Sequence, residues 1–199
     1  GEYRFPRLLD ALNTGNKDEL SKMDGLGMRS NGKVKINPRV EFIENLDEVP
    51  YPDYGDIDIS AYGNNTVKFY AQMIPRKYPW AITIASRGCP FHCIFCAAES
   101  VTGRKVRCWS VDNVLEEIDL LYNKHGIREI IFLDDHFLAN KKRAIDFMER
   151  LIDRNYDLTW KCGNVAVFAL DERMLELMWK SGSYQITISV ESGNQEVLD

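Results

Sequence analysis

No apolar run in the 199-residue sequence approaches the roughly 18 residues that a membrane-spanning helix needs. The opening Gly1-Glu2-Tyr3-Arg4-Phe5-Pro6 lacks the charged and apolar regions of a secretory signal. Basic tracts are missing too. The 25 Lys and Arg are interleaved with 30 Asp and Glu, for a net charge of −5, so composition gives no reason to expect nucleic acid as a partner. Cysteine is scarce and odd in number: five residues, three of them in one short stretch. That argues against a secreted disulfide framework and for a reducing, cytoplasmic setting. Also absent is a second closely spaced cysteine pair, which a structural zinc site would use. What is present is enough apolar residue, 45% of the chain, for a sizeable core, and enough length for one good-sized domain or slightly more.

The clustered thiols are Cys89, Cys93 and Cys96, in Gly88-Cys89-Pro90-Phe91-His92-Cys93-Ile94-Phe95-Cys96, a C-x3-C-x2-C spacing with an aromatic before the last cysteine. Three thiolates this close suit an iron–sulfur cluster, which normally takes four cysteines. One iron would then keep an open position, where chemistry can happen. Zinc is the plainer reading, but His92 as its fourth ligand lies inside the loop and would strain it. Cys108 and Cys162 stand apart and read as ordinary packed thiols.

Residues 1–79 are expected to be an irregular linker with little core of its own. Phe5 to Leu12 suggests a short helix, and Asn31-Gly32 between short flanks suggests a hairpin. Pro50-Tyr51-Pro52 should be stiff and extended. From Trp80 the pattern becomes regular. Ala81–Ala85, Glu129–Leu133, Leu158–Trp160 and Gln185–Val190 read as four strands. Between them, helices are expected after the caps Ser110, Asn140 and Asp171, with apolar positions at helical spacing. Trp160 and Trp179 read as core. Alternating strand and helix implies parallel strands covered by helices, in a doubly wound sheet or a TIM-like barrel. In either, working residues gather at the C-terminal ends of strands. Four places qualify: the cysteine loop, Asp134-Asp135, Cys162-Gly163-Asn164 and Glu191.

The loop, preceded by Ser86-Arg87-Gly88 and including Phe95, resembles the cluster-binding loop of the radical SAM enzymes. Leu46–Tyr54, Gly25–Arg29, Ser110–Ile118, Asn140–Ala144 and Glu191–Gln195 extend the likeness to the cobalamin-associated branch. The resemblance implies an α/β fold, a partial (β/α) TIM-like barrel of which this chain holds strands 1 to 4. Residues 1–79 would be linker and the end of a missing cobalamin-binding domain, and 80–199 the first part of the radical SAM core. It implies that Cys89, Cys93 and Cys96 hold a [4Fe-4S] cluster that reductively cleaves S-adenosylmethionine (SAM). Phe95, Asp134, Asp135 and Glu191 are the implied SAM contacts, although Leu133-Asp134-Asp135-His136-Phe137 departs from the Gly-Gly-Glu segment common at that position. Arg104 and Arg107 are placed to neutralise the cluster or the SAM carboxylate. A reductant such as flavodoxin or ferredoxin is the implied partner, an unidentified small molecule the substrate, and cobalamin a cofactor of the full-length protein alone. The rival readings are a methylthiotransferase-like enzyme without cobalamin and a non-catalytic iron–sulfur electron carrier.

Overall fold

The computed structural model describes residues 1–59 and 74–198, so part of the expected linker, residues 60–73, lies outside it. The chain divides into two compact units, Gly1–Glu44 and Asn45–Asp199.

The first unit is more regular than a linker. Helix α1 spans Arg4–Asn13 and α2 Lys17–Lys22, the latter capped by the Asn16 side chain. Strands β1 (Gly27–Ser30) and β2 (Lys33–Ile36) form the expected hairpin. Asn31 and Gly32 both take positive φ, 48° and 78°, which matches the twist of the flanking strands. Asp24 accepts from the backbone N–H groups of Val40 and Glu41, and Arg4 pairs with it. Burial opposes its ionisation, but these donors hold its carboxyl below the usual value.

The second unit is built on a parallel sheet of β3 (Trp80–Thr83), β6 (Glu129–Phe132) and β7 (Thr159–Cys162), in that order. Between β3 and β6 lie a two-residue ribbon, β4 (Ser86–Arg87) with β5 (Arg107–Cys108), and the short helix α3 (Ala98–Val101). Helices α4 (Val111–His125), α5 (Lys141–Asp153) and α6 (Glu172–Lys180) start where their caps predict. Ser110, Asn140 and Asp171 each accept from the N–H three residues on, at 3.1, 3.1 and 2.8 Å. Gly126, at φ 68°, closes α4.

The expected fourth strand is shorter than its apolar run. Only β9 (Thr187–Ile188) pairs, in parallel with β8 (Asn164–Val165), and a bridge joins Trp160 to Ser183. A final turn of helix, α7, covers Gln195–Leu198. The result is an open part-barrel. Its helix-facing side is packed by Phe132, Phe137, Phe147 and Trp160, whose ring centroids lie 4.7–5.9 Å apart. Such aromatic pairs add about 0.5–1.5 kcal/mol each beyond burial. On α5 the buried face is Ala144, Phe147, Met148 and Leu151, while Ile145 and Ile152 are half-buried. Trp160 is core as expected, but Trp179 is not: it stands on the outer face of α6, one turn from exposed Leu175. The apolar stripe of α6 is wider than the surface that covers it. Among the described residues no helix is long and apolar enough to cross a membrane.

Candidate functional site

The cysteine loop leaves the sheet at the C-terminal end of β3 and returns through β5 to α4. Its neck is a closed frame. Ser86 pairs with Cys108 and Arg87 with Arg107, while Trp109 N–H donates to the Ala85 carbonyl at 3.2 Å. Gly88 has φ 98°, and a Cβ there would stand 2.3 Å from the Lys105 carbonyl oxygen, so only glycine fits. Cys89 N–H donates to the Gly103 carbonyl at 3.1 Å. Arg107 is buried and donates to the carbonyls of Thr102 and Lys105; Arg104 holds the Phe91 carbonyl and Glu99. Both arginines therefore serve the loop's own architecture.

The tip is different. From Pro90 to Ala97 every residue is exposed. Phe95 is 70% exposed and stands clear of the cavity described below. The cysteines are free thiols, Cys89 half-buried and Cys93 and Cys96 exposed. Among the described residues, no three His, Cys, Asp or Glu side chains stand together as metal ligands. Cys89 and Cys96 nevertheless line one cavity, and Cys93 stands between them on the same exposed loop. Three unpaired thiols on one loop, with no fourth, suit an iron–sulfur cluster better than structural zinc.

That cavity, of about 370 Å³, lies on the interior side of the part-barrel against the C-terminal strand ends. Strand alternation turns Ile131, Leu133, Lys161 and Gly163 into it. Asp134 and Asp135 also line it, but they do different work. Asp134 is 6% exposed and accepts from Ala85 N–H at 3.0 Å and from the Ser86 hydroxyl. Burial pushes its carboxyl up, against those donors and nearby Arg143. Asp135 is exposed; one of its oxygens accepts from Gly88 N–H at 3.2 Å and Thr102 Oγ1 at 2.6 Å. Glu191 lies exposed beyond β9 and outside the cavity lining.

Cys162, marked in the sequence by its place at a strand end, and Lys161, which carried no signal there, also line the cavity. The Cys162 thiol is buried, and burial pushes it up to about 12. Lys161, 2% exposed, donates to the Ile74 carbonyl at 2.6 Å and stands 3.7 Å from fully buried Glu129. Burial lowers the lysine's pKa while Glu129 opposes that shift. Glu129 in turn accepts from the Arg76 and Lys77 N–H groups, Thr159 and Tyr184. Strand alternation alone would have turned position 161 inward, but a lysine there reads by composition as exposed. His136 is packed, its ring 5.4 Å from that of Phe91.

Residues 83–199 match the family model described as the radical SAM superfamily. Among curated proteins, a Pyrococcus horikoshii protein named an uncharacterized methyltransferase is 35% identical over the whole chain. The cytidylyl-2-hydroxyethylphosphonate methyltransferase of Streptomyces wedmorensis is 28% identical over the whole chain. The chain spans 40% of the length of each. Among solved structures, the cobalamin-dependent S-adenosylmethionine radical enzyme OxsB shares the fold at a TM-score of 0.73 and 23% identity, over 96% of this chain and 27% of that one.

Proposed function

The chain belongs to the radical SAM superfamily, and from that premise we propose that it supplies the cluster and SAM site of a radical enzyme acting in methyl transfer. Cys89, Cys93 and Cys96 would hold the cluster. What carries this reading is that two of the three thiols and Asp135 line one cavity at the C-terminal rim of a parallel sheet, the place where such folds do chemistry. When bound, a [4Fe-4S] cluster supplies the electron that cleaves SAM to methionine and a 5′-deoxyadenosyl radical.

The protein's own share is binding and orientation. Asp135, exposed on the cavity wall, would accept from the SAM ammonium, where opposite charge favours it. Glu191 would accept from the ribose hydroxyls or the amino group, and Phe95 would cover the adenine, each turning toward the cavity from its exposed position. Ile131 and Leu133 give the wall an apolar surface that keeps water from a reactive carbon. The names of the two curated relatives described above favour methyl transfer. In that reaction cobalamin would be bound by residues outside this chain, and a flavodoxin or ferredoxin would deliver the electron.

The test is anaerobic reconstitution of the wild type and of Cys89→Ala, Cys93→Ala and Cys96→Ala, followed by iron and sulfide analysis. Incubation with dithionite and SAM then reports 5′-deoxyadenosine. About four irons per wild-type chain, lost in each variant together with the product, supports the reading. Iron content indifferent to Cys93→Ala, or zinc in its place, overturns it.

A further inference from the structure

We propose that Asp134 and Arg143 are positioning residues that together set the neck of the cysteine loop, and that Asp134 is not a contact of SAM. The inference deepens the reading above and rests on it for the loop's purpose.

Arg143 sits in the first turn of α5, where the helix carries no acid and where a cation opposes the helix dipole. Its guanidinium compensates by reaching out of the helix. Nε donates to the Trp109 carbonyl at 2.8 Å and Nη2 to the Ala85 carbonyl at 3.0 Å. Those carbonyls belong to the two sides of the neck, one just before β4 and the other just after β5. The planar fork of one arginine therefore spans both strands at the point where the loop leaves the barrel. A lysine carries its three donors on one nitrogen and lacks that planar fork.

Asp134 grips the same place from the sheet. Its two oxygens take the Ala85 N–H and the Ser86 hydroxyl. The peptide groups on either side of Ala85 are thus held by opposite charges from two elements, Asp134 after β6 and Arg143 on α5. Ala85 is itself fully buried. A buried carboxylate stays in place only with such donors around it. Both Asp134 oxygens already have donors within the chain, whereas Asp135 next to it is exposed. Both acids accept from the neck, but they differ in exposure: Asp134 is buried with a donor on each oxygen, while Asp135 is exposed and takes its two donors, Gly88 N–H and Thr102 Oγ1, on one oxygen.

The test compares the wild-type chain with Arg143→Met and Asp134→Ala. In the metal-free state, amide exchange is read at residues 84–90 and 107–111, with 129–133 in the central strand as the control for folding. Both variants should speed exchange at the neck by about tenfold or more while the central strand stays within about twofold. The double variant should be no worse than the worse single one, because the two residues act on one frame. After reconstitution and reduction, both variants should still take up iron but give a broadened electron paramagnetic resonance line, since the thiolates are no longer held in one geometry. In Asp134→Ala the line should still change when SAM is added. Neck exchange at the wild-type rate in both variants, with the SAM response lost in Asp134→Ala alone, would make Asp134 a direct contact and end the proposal. If Asp134→Ala unfolds, as fast exchange in the central strand would reveal, Arg143→Met decides alone. A wild type that takes up no iron refutes the cluster reading, while the exchange comparison still decides whether these residues hold the neck.

Discussion

The neck and the tip of the cysteine loop are close in sequence and built in opposite ways. At the neck, Ala85, Ser86, Gly88, Gly103, Arg107 and Trp109 are buried, and Asp134, Asp135, Arg107 and Arg143 satisfy the loop backbone. At the tip, Phe91 to Ala97 are exposed and the side chains of Ile94 and Phe95 meet mostly solvent. A loop that had only to cross from strand to helix would need neither feature. Held at its base and open at its end, it can present ligands to a group that arrives from outside, at little conformational cost to the rest of the barrel.

The largest expected contrast is between thiols. Burial pushes the Cys162 thiol up to about 12, so it has little thiolate at pH 8, and its alkylation in the metal-free protein should be at least about a hundredfold slower than at an exposed thiol. Mass spectrometry of iodoacetamide-treated protein should find Cys93 and Cys96 modified first, and Cys162 gaining reactivity as pH rises. Equal labelling would mean that the cavity wall is not packed as described. Gly88→Ala comes next. Its φ of 98° and a Cβ 2.3 Å from Lys105 oxygen should cost on the order of 2–4 kcal/mol, read by urea denaturation, with iron uptake falling in parallel. Wild-type stability in this variant would show that the neck is loose. Thr102→Val removes the hydroxyl that Asp135 accepts at 2.6 Å and should cost about 0.5–1.5 kcal/mol. Ser110→Ala, which deletes the cap of α4 at the foot of the loop, should cost about 1 kcal/mol in the same assay. Smallest of all, Ile94→Ser at the fully exposed tip should change stability by less than about 0.5 kcal/mol.

Much of this was legible in the sequence because it is local. The three caps and the Asn31-Gly32 hairpin depend on a few neighbouring residues, and all appear in the structure. The parallel order β3-β6-β7 follows from alternating strand and helix. Trp179 was misread as core because periodicity reports an apolar stripe, not how much of it another element covers. In the first 44 residues the unforeseen element is α2, whose six residues leave little periodic signal. At the site, the cysteines and the two acids stand out by type and place. What separates Asp134 from Asp135 does not, since it lies in partners far along the chain, Ala85 and Ser86 for one and Gly88 and Thr102 for the other. The contacts of Arg143 were not legible for the same reason: the residue stands in a segment that shares the family likeness, but only folding carries Ala85 and Trp109 to it.

The central claim is that the three thiols hold a cluster with one iron open to SAM. Electron paramagnetic resonance of the anaerobically reconstituted, reduced chain, recorded with and without SAM, tests it most directly. The account predicts a [4Fe-4S]⁺ signal whose shape changes when SAM is added. A cluster signal that SAM leaves unchanged, or no cluster signal from a protein that binds zinc instead, would contradict it.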